Sequence, residues 1–82
     1  MLMQELKERL SRERYDRRWF SFSSSDLPLE GYILEKQNPF WAVLYFERGE
    51  TRQLASFESE SDACEWFYAR ISKNVPKTTG AH

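Results

Sequence analysis

The 82-residue chain is poor in the residues on which most chemistry depends: one cysteine, one histidine, three glycines and three prolines. A single thiol, Cys64, excludes an internal disulfide framework and suits a reducing compartment. The histidine is the last residue, His82, so no imidazole inside the chain is at hand for base catalysis or metal binding. The serine run at Ser23–Ser25 lacks the glycines and the lysine of a phosphate-binding loop. No charge sign dominates, with 12 Lys and Arg against 13 Asp and Glu, so composition points neither to nucleic acid nor to a membrane surface. No apolar run is long enough to span a bilayer, and Met1-Leu2-Met3 leads straight into charged residues without a signal-peptide core. These absences predict a cytoplasmic protein with no membrane partner, no cofactor, no metal and no catalytic residues.

Aromatic residues are what the chain has in quantity. Three Trp, four Tyr and six Phe supply 16 % of the residues, enough to build a small core from few side chains. They concentrate in Phe40–Phe57, which reads as one β-hairpin. Phe40–Glu47 is rich in aromatic and branched residues. Arg48-Gly49 then offers a two-residue turn in which Gly tolerates positive φ. That turn places Phe46 opposite Thr51, Tyr45 opposite Arg52, Val43 opposite Leu54 and Trp41 opposite Ser56. Trp41, Val43, Tyr45 and Leu54 then share one face, and Phe40, Ala42, Leu44, Phe46, Ala55 and Phe57 the other. Both faces are apolar, so the hairpin is either covered twice or leaves one face for a partner.

The remaining elements follow in order. Met1–Asp16 predicts an amphipathic helix with Leu2, Met3, Leu6 and Leu10 on its stripe. Arg17–Ser23 predicts a short strand, Ser23–Gly31 a loop, and Tyr32–Lys36 a second strand that turns at Gln37-Asn38-Pro39. Ser59 with Asp62 three residues on marks a capped helix start, and Ala63, Phe67 and Ile71 recur at helical spacing with Cys64 beside them. The expected fold is α+β: a four-stranded antiparallel meander between an N-terminal and a C-terminal helix, α-β-β-β-β-α. Residues 1–75 form the single domain and 76–82 a tail.

Charge is unevenly distributed. Residues 1–20 carry six cations, but Glu5, Glu8, Glu13 and Asp16 are interleaved with them, which argues against phosphate binding by Arg12, Arg14, Arg17 and Arg18. Residues 26–65 carry nine acids against Lys36, Arg48 and Arg52. An acidic, aromatic surface suits a basic protein partner, because complementary charge speeds encounter and fixes orientation. The expected partner-binding residues are Glu35, Glu47, Glu50, Glu58, Glu60 and Asp62 for charge, with Trp41, Tyr45 and Phe46 as anchors. Two other readings compete. The sheet aromatics could stack single-stranded nucleic acid, although the acids around them oppose it and no direct nucleic-acid partner is expected. A spare apolar face could instead make a homodimeric adaptor.

The hairpin pattern W-x-V-x-Y-x-E-R-G at Trp41–Gly49, followed by Phe57–Cys64 opening a helix, resembles small bacterial immunity proteins of polymorphic and contact-dependent growth inhibition toxin systems. The resemblance spans residues 2–72. It implies a cytoplasmic protein that binds one cognate toxin, often a nuclease, over its active site or substrate path, and that catalyses nothing. The chain departs from the family's pattern at Ala42, Leu44 and Phe46, where more polar side chains are expected.

Overall fold

The computed structural model describes residues 1–78. Helix α1 spans Met3–Arg12, strand β1 Phe20–Ser21, β2 Gly31–Lys36, β3 Trp41–Glu47, β4 Glu50–Phe57 and helix α2 Glu60–Asn74. The strands form one sheet in the order β1-β2-β3-β4. The α+β architecture expected from the sequence is present.

Helix α1 stops at Arg12, four residues before the expected end, because Arg14 adopts a left-handed φ of 65°. The Arg14 N–H donates to Ser11 O and the Tyr15 N–H to Leu10 O, the paired bonds that close a helix C-terminus when the residue after the cap turns left-handed. Leu10 and Tyr15, joined by that turn, are both in the core. Asp16 Oδ1 then accepts the Arg18 N–H at 3.0 Å. This tightens Arg17–Trp19 into a 3₁₀ turn where the sequence predicts strand, the local competition that short acidic side chains set up.

The first strand also departs from the expected meander. It is two residues long and runs parallel to β2, with Phe20 opposite Tyr32 and Ser21 opposite Ile33. Only β2–β3 and β3–β4 are antiparallel. The loop between β1 and β2 folds back from the Glu35 end, where the Ser24 N–H donates to Glu35 Oε1, to the Arg18 end, where the Leu29 N–H donates to Arg18 O.

The hairpin turn falls at Arg48-Gly49 as read from the sequence, both at positive φ, and the pairs Phe46–Thr51 and Tyr45–Arg52 hold. Beyond Leu44–Gln53 a β-bulge intervenes. Val43 faces Ala55 rather than Leu54, and Trp41 faces Phe57 rather than Ser56. One extra residue on the bulged strand reverses its facing, so Ala55 and Phe57 join the helix side instead of the face assigned to them by strict alternation. Leu54 stays with them.

The two helices cover one face of the sheet, with Leu34 and Val43 from the strands, Leu6 and Leu10 from α1, and Ala63, Cys64, Phe67 and Ile71 from α2. They run side by side in the same direction. Near their starts the Met3 N–H donates to Glu60 Oε2 at 2.8 Å, and at the end of α1 Glu13 accepts the Tyr68 O–H from the middle of α2. The Ser59 hydroxyl caps α2 by accepting the Asp62 N–H at 3.1 Å, as its spacing predicts. Val75, the last residue of the domain expected from the sequence, is buried. The chain is then tied back: the Asp16 N–H donates to Pro76 O, and the Thr78 N–H to Arg14 O. Residues 79–82, including His82, lie outside the described residues.

On the other face Ile33, Ala42 and Leu44 form a second, smaller buried cluster with Phe46 against it. Among the described residues no α-helix lies there. Ser21 and Ile33, both on this face, are buried beside the folded-back loop.

Several carboxylates in this frame are held below their ordinary range. For Glu13 the first cause is the Tyr68 hydroxyl, assisted by Arg9, whose Nε sits 3.1 Å from the carboxylate. For Asp16 it is the Arg18 side chain, then the Arg18 N–H. A carboxylate depressed in the folded state contributes stability that is complete above its unfolded pKa, near 4, and is lost as pH falls through the folded value. The thermal midpoint should therefore stay level from about pH 7 to pH 5 and drop below about pH 4. The double variant Glu13→Gln/Asp16→Asn should start from a lower midpoint and lose less on acidification. Circular dichroism melts across that range check both.

Candidate functional site

The expected partner-binding acids do not stand together. Glu47 and Glu50 face one another at the mouth of the hairpin. Glu58, Glu60 and Asp62 lie at the opposite end of β4, where strand gives way to α2. An eight-residue strand puts these ends roughly 25 Å apart, so the acids do not make one patch.

Two of the acids hold the fold together. Glu60 takes the Met3 N–H, joining the helix starts. Glu35 accepts the Ser24 N–H at 2.9 Å and the Gln37 side-chain amide at 3.1 Å. These bonds hold its carboxyl below the usual range, against the opposing effect of burial. Glu35 is thus a brace for the loop and the β2 turn. Glu58 and Asp62 are exposed. Trp41 is half-buried against the main core with the Lys36 ammonium 5.7 Å from its ring centroid. Phe46 is half-buried on the smaller cluster.

The hairpin mouth is where structure adds most. Tyr45 is half-buried, its ring 5.0 Å from that of Tyr32 and 5.9 Å from the Arg52 guanidinium. Its hydroxyl donates to Glu30 Oε2 at 3.1 Å. Glu30, which sequence reasoning left in the loop, therefore joins Glu47 and Glu50 around one ring. Tyr45, Glu47, Glu50 and Arg52 border a shallow hollow of about 50 Å³. Burial first, and then the Glu30 and Glu47 carboxylates, push the Tyr45 hydroxyl pKa up. Like charges directly opposite in a ladder cost stability, and Glu47 and Glu50 stand so. The signal available in sequence for Glu30 was weak, because its contact depends on how the loop returns to β2.

The face without helices carries Phe40, Ala42, Leu44 and Phe46 from β3 and its lead-in, Ile33 and Glu35 from β2, and Thr51, Gln53 and Ser56 from β4. None of these is Lys or Arg. Ile33, Ala42 and Leu44 are buried, and Phe40 is 46 % exposed. The spare face expected from sequence is therefore narrower than alternation implied, and it lacks the cations with which a nucleic-acid surface meets phosphates.

Cys64 has no exposed surface. Burial, its largest cause, pushes the thiol up to about 11, which leaves it a small core hydrophobe. Among the described residues no group of three or more His, Cys, Asp or Glu side chains could hold a metal ion, and no helix is long and apolar enough to cross a membrane. Compared with family models, curated proteins and solved structures, the chain finds no match.

Proposed function

We propose that the chain is an immunity-type inhibitor, a binding domain that neutralises a cognate bacterial toxin by occupying its active site or substrate path. The observation that carries this reading is the hairpin mouth. Three carboxylates, Glu30, Glu47 and Glu50, surround the half-buried Tyr45 and the Arg52 guanidinium over its ring. Tyrosine and arginine are favoured binding anchors, and carboxylates placed around them suit a basic cleft such as that of a nuclease. The unfavourable Glu47–Glu50 pairing becomes favourable once a cation lies between them. Cytoplasmic residence is part of the same proposal, since a toxin of the nuclease kind acts there.

The test is genetic and then kinetic. The reading frame immediately upstream is expressed with and without this protein, and growth is scored. Killing by the neighbour and rescue by this chain are the expected outcome. A harmless neighbour, or one that kills regardless, sinks the reading. With the complex in hand, Glu47→Lys/Glu50→Lys should slow association by about ten- to a hundred-fold at low salt and flatten its salt dependence. Glu58→Lys, at the far end of β4, should change the rate by less. Stopped-flow fluorescence measures both.

A further inference from the structure

A hollow larger than the one at the hairpin mouth opens elsewhere on the molecule. It lies between α1 and the outer side of β1, with a volume of about 360 Å³, and Lys7, Arg17, Phe20, Phe22 and Leu27 are among its walls. A second hollow of about 290 Å³ shares Lys7, Arg17, Phe20 and Phe22 and extends to Ser11. The pair make one groove. Its floor is aromatic: Phe20 is buried, and Phe22 is half-buried with the Lys7 ammonium 5.2 Å from its centroid.

In sequence the acids interleaved with these cations cancel them. The structure removes two of those acids from the account. Glu13 is engaged by Tyr68 and Arg9, and Asp16 by Arg18. Among the described residues no carboxylate lies within ion-pair distance of Lys7, Arg12, Arg14 or Arg17, and all four are exposed. Asp26 on the far wall is the one acid lining the groove. Lys7 and Arg17 line both hollows, and Arg14, just past the end of α1, stands in the chain between Ser11 and Arg17 of the groove wall. Arg14 itself occupies the left-handed position that glycine fills at lower cost.

We propose that this groove is a binding track for a single strand of nucleic acid, with Lys7, Arg14 and Arg17 on successive phosphates and a base against Phe22. A row of separate cations needs an anion at every step. A phosphate backbone supplies that in any register, whereas a protein would need carboxylates at matching positions. The guanidinium fork of the two arginines fits phosphate oxygens in pairs, and ring-plus-cation grooves hold single strands without sequence preference. The site is separate from the hairpin mouth and stands or falls without it.

Fluorescence anisotropy with a labelled oligouridylate of about a dozen residues, spanning one such site, provides the test. With three phosphates engaged, log K should fall against log salt with a slope near −2, a roughly fifteen-fold loss between about 50 and 200 mM salt. Arg14→Gly/Arg17→Gln should weaken binding at least about tenfold at low salt and bring the slope to about −0.7, the value for one phosphate. Glycine suits the left-handed turn and Arg17 is exposed, so this variant keeps its melting temperature and its loss is one of contact. Arg70→Gln/Lys73→Gln, on the other flank of α2, should change neither quantity. No binding at low salt overturns the proposal, as does binding that the groove variant leaves intact. Displacement of the RNA by polyglutamate at equal charge also overturns it, since the groove would then be a site for an acidic protein.

Discussion

Gly31→Ala should cost about 4 kcal/mol or more, most of the stability available to the domain. A chain of this length is expected to have roughly 4–12 kcal/mol in all. Gly31 opens β2 at φ 141°, and a Cβ built there would lie 1.9 Å from the Trp19 carbonyl oxygen and 2.5 Å from its carbon. Both obstacles are backbone, so no side-chain rotation relieves them. The carbonyl is placed by the 3₁₀ turn and by the parallel β1–β2 pairing, which are the parts of the fold that break with a simple meander. Gly49→Ala is the internal control. Gly49 has φ 82° at the hairpin turn, but an added Cβ meets nothing, so only conformational strain of about 1 kcal/mol remains. Urea unfolding followed by tryptophan fluorescence separates the two. If Gly31→Ala is as mild as Gly49→Ala, Trp19 does not pass over Gly31 and the parallel pairing is wrong.

That contrast also shows what could be read in advance. The hairpin turn was legible because Arg48-Gly49 carries its own signal, and the start of α2 was legible because Ser59 and Asp62 lie at cap spacing. Both are local. The direction of β1 was not legible, since Phe20 and Phe22 alternate equally well in a parallel or an antiparallel strand, and the loop length permits either. The bulge at Val43/Leu44 escaped for a related reason. Leu54, Ala55 and Phe57 are apolar and would suit either face, so no misplaced polar residue marked the extra position. The candidate site divides the same way. Tyr45, Glu47 and Glu50 are neighbours through the hairpin register and could be grouped from sequence. Glu30 reaches Tyr45 only through the loop return. Glu13 and Asp16 could be counted as opposing charges but not seen to be engaged elsewhere, and the groove beside α1 depends on that.

Phe67→Ala is the second large effect, with an expected loss of about 3–5 kcal/mol. Phe67 is the largest side chain with no exposed surface among the described residues, and its ring meets that of Phe22 at 5.9 Å in a tilted arrangement while α2 seats it against the sheet. Truncation forfeits the transfer energy of the ring and leaves a cavity that two packed helices cannot close. Against roughly 4–12 kcal/mol of total stability, the variant should be partly or wholly unfolded at 37 °C. Phe67→Leu keeps most of the volume and should cost about 1.5 kcal/mol or less, so it remains folded with a lower melting temperature. That milder variant separates support from recognition. Its hairpin mouth is unchanged, because Tyr45, Glu30 and Arg52 meet beyond the reach of Phe67, and the toxin rescue proposed above should be undiminished at low temperature. The groove is different: Phe22 belongs to its floor and touches Phe67, so oligonucleotide affinity should fall while the salt slope, set by Lys7, Arg14 and Arg17, stays the same. Equal loss at both sites would mean that one packed core serves them jointly, and that the two surfaces are not independent.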